Sequence, residues 1–493
     1  MKYMTTLGVS PKKSTVTACL LLFTTAVCFS LDIGVAASET LTTEPFYNWQ
    51  FQQLNLRLTH QTDAFGFDFD LAALNDGLYM NAFAAQLQLG YYFMIKSGGL
   101  SFTGGPFDFR AGKLVHSDII DSPYSLFISS GENPSLIADF TYNDGLFFYE
   151  SRWIALNCMS ALGYPDRGAV YKAFGMYVGE FRFGYQDSTV FTQRVFDPAF
   201  FLVPTPGMLV QMIGISEGSP WQQSGNSNAM MGLFFDYSHA SADTGPIAGW
   251  YAYTQLLIDD INGNRFLHPE DSQNPDKIAW SLGGHIQTDF GTFGFYHAGA
   301  TKYTFEPYGS AGLNTDYGYT YYPAASFINT AGGETPIPLE QNYIGYLHGE
   351  NNLAFMTTYR ADWFGFATDA SLEFGLRGST SPANPWGIYN DWFEGGQGTR
   401  FLDDPLLEKS LTCSVAVGKD LGGWRFRSDL RLGFVWNELS LAQVPAELLG
   451  PGNTISLFIP SDTNRIIAEF SISIAYTWSF APYVEIIGDA RSL

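Results

Sequence analysis

The chain has 493 residues, 25 Lys plus Arg against 48 Asp plus Glu, a formal net charge of -23 at pH 7, and 46% hydrophobic residues with 51 glycines and 42 phenylalanines. So acidic a chain is unsuited to nucleic acid or to a peripheral grip on anionic lipid. No run of 18 or more apolar residues makes a mature transmembrane helix, so any membrane is crossed by strands. A large soluble β-protein would share this composition, and residue periodicity has to decide.

Lys2, Lys12 and Lys13 precede an apolar run, Val16 to Phe29, and Val35-Ala36-Ala37 offers small residues for a signal peptidase, which predicts a signal peptide over 1–37. Two cysteines fall inside it; Cys158 and Cys413 remain, and Cys413, in an apolar outer face, reads as a small hydrophobe rather than a ligand or half of a disulfide. Residues 38–84 are polar and irregular and read as a periplasmic lead-in, with one early strand at Phe51 to Thr59 and a short helix at Leu71 to Leu78. Residues 85–493 read as an outer-membrane barrel.

From Ala85 apolar residues recur every second position. Leu87, Leu89, Tyr91, Phe93 and Ile95 predict a membrane-length strand, with shorter ones at Leu100 to Thr103, Asp108 to Val115 and Ser135 to Tyr142. Asn143-Asp144-Gly145 predicts a tight turn into Leu146 to Leu156. Strands follow at Gly168 to Val178, Gly179 to Gln186, Met230 to His239, Gly249 to Asp260, Lys277 to Gln287 and Thr292 to Thr304, with 306–351 and 379–406 as long loops and 187–228 as a large loop or an inward fold. The last third is the most regular. In Gly423 to Trp436, Trp424, Phe426, Leu430, Leu432, Phe434 and Trp436 share one face, while Arg425, Arg427, Asp429 and Arg431 share the other. Twelve steps of roughly 3.3 Å, tilted by about 45°, span a hydrocarbon core with a Trp near each interface. Ile466 to Phe480 repeats the pattern, and Tyr483 to Gly488 reads as a short closing strand. The fold class predicted is all-β, a closed transmembrane antiparallel barrel of about 16–18 strands, because an open sheet edge in lipid is prohibitive.

The middle of the chain carries a resemblance. Glu180-Phe-Arg-Phe-Gly-Tyr-Gln-Asp, Arg194-Val-Phe-Asp197-Pro198, Phe201-Leu-Val-Pro204-Thr-Pro206, Asp259-Asp260 and Asn274-Pro275-Asp276-Lys277 with Trp280-Ser-Leu-Gly283-Gly284 resemble segments of the Wzi-type capsule-assembly proteins. The resemblance covers about 121–303 and implies an 18-stranded outer-membrane barrel that binds capsular polysaccharide at its surface; this chain shows no N-terminal helical bundle like that of the better-known members.

The inward faces supply candidate ligand residues, Arg182, Arg360, Arg377, Arg425, Arg427 and Arg431, whose planar forks suit carboxylates and sugar hydroxyls. The competing reading is a ladder of Arg–acid pairs filling a wet lumen. Trp363, Trp424, Trp436 and Trp478 are candidate membrane-girdle residues, and Trp221, Tyr317, Tyr319, Tyr321, Tyr322, Trp386 and Trp392 could stack on sugars or anchor at the interface. Asp259-Asp260 with Asn262 and Asn264 is a weak calcium pattern broken by Ile261 and Arg265, and a polar strand end is the commoner meaning. No catalytic motif stands out, Ser281 and His285 merely share an inward strand side, and nothing calls for a cofactor. The expectation is a non-enzymatic barrel with outer-membrane lipid, polysaccharide and the barrel-assembly machinery as partners. Two other functions fit the same pattern, a porin or hydrophobic-solute channel and an adhesin.

Overall fold

The structure, a computed structural model, describes residues 32–45, 47–78, 90–129, 134–159, 165–215, 226–240, 246–261, 263, 267–268, 275–306, 318–321, 327–330, 333–336, 343–380, 399–443 and 456–480. Period-two alternation organises it. Its strands are β1 (Asp32–Thr42), β2 (Gln50–Gln61), β3 (Phe65–Leu74), β4 (Tyr92–Gly104), β5 (Phe107–Leu114), β6 (Ser135–Asn143), β7 (Phe147–Asn157), β8 (Arg167–Val178), β9 (Phe181–Thr192), β10 (Ser227–Ala240) and β11 (Ile247–Asp260). They continue with β12 (Lys277–Thr288), β13 (Gly291–Ala300), β14 (Phe327–Thr330), β15 (Gly333–Pro336), β16 (Asn352–Trp363), β17 (Phe366–Arg377), β18 (Glu408–Leu421), β19 (Trp424–Trp436), β20 (Leu439–Gln443), β21 (Ser456–Pro460) and β22 (Arg465–Phe480).

Eighteen of these form one sheet, while β14–β15 and β20–β21 are separate hairpins within long loops. Each neighbour in the sheet is antiparallel, and β1 pairs β2 on one side and β22 on the other, from Ile33↔Phe480 to Thr42↔Ser471, so the sheet closes on itself. Closure leaves no unpaired edge in lipid. Large apolar side chains on the outward parity are exposed, among them Phe183, Phe235, Leu282, Phe295, Leu372, Phe426, Leu432 and Ile472. An exposed apolar band around a closed barrel is stable only in a bilayer, so this is an outer-membrane β-barrel.

All short links, from 105–106 to 241–246, lie at one rim, and the long ones, up to 301–351, lie at the other. By the usual asymmetry of such barrels the short-turn rim is periplasmic and the long-loop rim extracellular. Aromatic pairs crowd the short-turn rim: Phe107 with Tyr142 at 5.2 Å, Tyr237 with Trp250 at 4.5 Å, Phe293 with Tyr359 at 4.8 Å and Trp424 with Tyr476 at 4.9 Å. Trp363 and Trp478 lie at that rim as well, whereas Trp436 ends its strand at the long-loop rim. Amphipathic rings at these two levels match the headgroup zones.

The barrel starts at Asp32, not at 85: the expected lead-in 38–84 holds β2, β3 and most of β1. The early strand expected at Phe51 to Thr59 is β2, here part of the barrel wall, whereas β1 and β3 escape notice because β1 is built of small residues and Asp68 and Asp70 interrupt the apolar run of β3. In place of the helix expected at Leu71 to Leu78, Leu71 to Leu74 end β3 and 75–78 form a turn. The separate strands expected before and after Lys96 are one strand, β4, whose register against β3 shifts between Ile95 and Ser97. This bulge moves the outward face from Phe93 and Ile95 to Leu100 and Phe102, which breaks the alternation in the sequence. The segments at Leu87 and Tyr483 to Gly488 lie outside the described residues.

Candidate functional site

Register fixes which residues face inward. Gln186 and Ser188 of β9, Tyr251, Tyr253 and Gln255 of β11 and Glu373 of β17 all point into the lumen, and two long-rim loops fold down to meet them. The first, around 115–129, buries Ile120, Tyr124, Leu126, Phe127 and Ile128. Such a buried loop has to satisfy its backbone, and the wall supplies the partners. Leu126 N donates to Gln255 Oε1 (2.9 Å), Ile119 N to the Tyr171 hydroxyl (3.1 Å) and Asp121 N to the Tyr251 hydroxyl (3.3 Å), while Arg182 Nη2 donates to Ile119 O (2.7 Å). Gln255 Nε2 donates to Asp118 Oδ2 (2.8 Å) and to Gln186 Oε1 (3.1 Å). At the far wall the Tyr124 hydroxyl donates to Glu373 (2.6 Å).

The described parts of the second loop, 301–306, 318–321 and 343–351, pack on the first. Ser129 N donates to Ile344 O (2.9 Å), the Tyr319 hydroxyl bonds Phe127 O and Ser188, and His348 Nε2 lies 2.7 Å from Glu373. Phe305, Tyr319, Tyr343, Ile344 and Tyr346 are buried there in one apolar cluster with the first loop. Together the loops form a plug against β7–β13 and β17. Burial, then the Glu373 charge, pushes the Tyr124 hydroxyl up. Burial also raises Asp118, and burial with Glu350 beside it raises Glu306. His116 is lowered to about 3 by burial and then by the charges of Arg152 and Arg110, and neither ring nitrogen has a hydrogen-bond partner among the described residues.

The other side of the lumen, from β16 round to β3, is wet. Arg425 and Arg360 keep about seventy per cent of their side-chain surface, 69% and 71%, although both point inward. Each expected ligand arginine meets an acid: Arg425 with Asp420 (2.9 Å), Arg427 with Asp429 (2.7 Å), Arg431 with Glu469 (3.2 Å), Arg360 with Asp369 (2.8 Å), Arg377 with Glu408 (3.7 Å) and Arg182 with Asp236. Arg57 with Asp68 (3.0 Å) extends the row on a strand that sequence reading left out of the barrel. The six expected residues therefore do not converge. Arg425, Arg427, Arg431 and Arg360 line the wet wall, whereas Arg182 and Arg377 hold the plug, the latter through His348.

A second ionic centre, Arg152 with Glu150 and Asp139 and Arg110 with Asp139, lies beneath the first plug loop, where Arg152 Nη1 also donates to Ser117 O (2.5 Å). Asp259, once a calcium candidate, accepts from Phe305 N (3.1 Å) and pairs with Lys277 (3.5 Å), so its oxygens anchor the second loop; Asn262 and Asn264 lie outside the described residues. No metal-holding cluster occurs among the described residues. Tyr319, an expected sugar platform, is buried in the plug, and Trp221, Tyr317, Tyr322, Trp386 and Trp392 lie outside the described residues.

No protein-family model matches the chain, and comparison with curated proteins finds no relative. Among solved structures it is similar to Wzi of Escherichia coli, described as an outer-membrane protein involved in group 1 capsule assembly and a carbohydrate-binding β-barrel (TM-score 0.47, 11% identity, covering 93% of this chain and 87% of that one). It is also similar to OprD of Pseudomonas aeruginosa (TM-score 0.45, 10% identity, 92% and 96% covered) and to OpdK of the same organism, solved with vanillate (TM-score 0.44, 10% identity, 91% and 99% covered).

Proposed function

We propose that this barrel is a non-enzymatic, surface-exposed polysaccharide-binding protein of capsule-assembly type whose lumen is closed to steady conduction. The observation that carries the reading is the plug: two loops enter from the extracellular rim and are tied to four or more wall strands by buried hydrogen bonds, including Gln255 to Asp118 and Tyr124 to Glu373. A loop so fully bonded is a structural filling rather than a mobile constriction. The outer surface of the plug and the long-loop end of the Arg–acid wall, where Arg431 pairs with Glu469 and Arg465 with Glu438, then form a polar basin open to the extracellular side, and exposed arginine forks there suit anionic sugars. Ser281 pairs with Tyr253 (2.8 Å) and the His285 ring packs at a tilt against Tyr251, so each is engaged away from the other, in keeping with a non-catalytic role. Outer-membrane lipid, polysaccharide and, during insertion, the barrel-assembly machinery are the partners on this reading.

Retention of the purified barrel on immobilised acidic capsular polysaccharide tests it. Retention should fall at least tenfold in an Arg431→Ala, Arg465→Ala variant, and equal elution of both proteins with the void volume would sink the reading. The wet wall favours one alternative, a selective channel for small anions past the plug, and that alternative is separated by conductance.

A further inference from the structure

One polar row faces the wrong way. Register pairs Ser151 of β7 with Lys172 of β8, and Lys172 with Asp187 of β9, on the same outward parity as Phe147, Phe181 and Phe183. At about 3.3 Å per residue and a tilt near 45°, Lys172 and Asp187 lie about 14 Å above the short-turn rim, close to the middle of an apolar band about 25 Å tall. A bare Lys or Asp facing lipid at that depth is expensive. All three are nonetheless fully buried.

They are covered by the segment that leaves β9 at the extracellular rim and runs back down the outside of the barrel. It contains α1 (Pro198–Leu202) and α2 (Gly207–Ile215). Irregular backbone at membrane depth must be satisfied by protein, and here the wall does so. The Ser151 hydroxyl donates to Phe201 O (2.8 Å), Lys172 Nζ to Val203 O and Thr205 O (2.7 Å each) and Trp153 Nε1 to Val195 O (2.6 Å), while Gly207 N donates to Asp187 Oδ2 (3.0 Å). Two glycines permit the close approach: a Cβ on Gly168 would sit 2.0 Å from Val195 O, and one on Gly207 would sit 2.3 Å from Thr189 Oγ1. The flap in turn shows lipid an apolar surface of Leu202, Val203, Leu209, Met212 and Ile213, all exposed. Polar wall, satisfied backbone and apolar exterior together make a membrane-embedded element.

The lower edge of the flap stands proud of the wall. Between Phe201, Leu202 and Pro204 on that edge and Phe140, Tyr149 and Phe174 on the strands lies a groove of about 620 Å³, within the range of small-ligand sites. Its floor continues to Phe107 and Tyr142 at the short-turn rim, so it opens toward the periplasmic leaflet. We propose that this groove binds one acyl chain of a periplasmic-leaflet phospholipid, with the flap as its upper wall. The occupant follows from position: the groove is continuous with the lipid-facing band, its lining is predominantly aromatic and aliphatic, and it descends to the headgroup level of that leaflet.

The test places the full-length barrel in phosphatidylethanolamine–phosphatidylglycerol vesicles doped with phosphatidylethanolamine bearing a diazirine on one acyl chain. After illumination, peptides covering 140–153 and 201–204 should carry at least fivefold more label than the lipid-facing peptides 366–377 and 424–436. Lys172→Met and Gly168→Ala each release the flap by a different route, and in whichever folds by heat-modifiable migration the excess should vanish. Equal label on all four peptides, an excess unchanged in the variants, or protein–protein crosslinks at 201–204 showing a second copy in the groove would each overturn the proposal.

Discussion

At the scale of single residues, His116 and Arg152 make the sharpest claims. His116 is buried beside two arginines with its pKa held down at about 3, so the folded state binds fewer protons than the unfolded one between about 3 and the ordinary histidine value. Its contribution to plug stability is therefore fully present above about 6.5 and lost as pH falls below it; Asp118 and Glu306, both raised, act in the opposite sense, weakening the folded state as pH rises from the ordinary carboxylate range. Limited proteolysis of the 115–129 loop in wild type and His116→Asn isolates the histidine. The wild-type loop should become relatively more sensitive as pH drops from 7 to 5, and parallel curves would contradict the assignment. Arg152, with 5% of its side chain exposed between Glu150 and Asp139, is the opposite of Arg431 in the wet wall. Breaking a buried pair typically costs about 3–5 kcal/mol and an exposed one at most about 1. Denaturant unfolding should thus show Arg152→Ala strongly destabilised and Arg431→Ala close to wild type. The sequence displays both arginines as inward by parity, but which is wet depends on loops far away in the chain.

At the scale of elements, legibility follows the alternation. β16 to β19 and β22 are readable because large apolar residues mark every outward position. β4 is split by its bulge at Lys96, and β1 is hidden because Gly34, Val35, Ala36, Ala37 and Ser38 resemble a cleavage region rather than a strand. Cutting after Ala37 would remove the partners of Leu54–Thr59 and Tyr476–Phe480, and unpaired backbone in lipid costs several kcal/mol per group. Ala26-Val27-Cys28 and Cys28-Phe29-Ser30 also place small residues at the spacing a signal peptidase needs. The mature N-terminus, read by intact mass, should lie at or before Asp32, and a start at Ser38 would contradict the closure through β1. The inward fold of the plug loops was not legible, since Phe127, Tyr319 and Tyr343 look like any loop aromatics until their partners on β9 and β11 are known. The flap was equally hidden: Lys172 and Asp187 read as breaks in alternation unless the covering chain is seen.

At the scale of the whole molecule, closure, the division into a short-turn and a long-loop rim, and the lipid-facing band were all foreshadowed by the period of two, because lipid permits few alternatives to a closed sheet. The occupancy of the lumen was not, because it is decided by where 115–129 and 301–351 fold. That occupancy is the central claim, and single-channel recording in planar bilayers tests it most directly. The intact barrel should insert without a steady conductance, whereas deletion of 117–128 should open one. A large, stable open-channel current from the intact barrel would contradict the plugged lumen and favour the transport alternative.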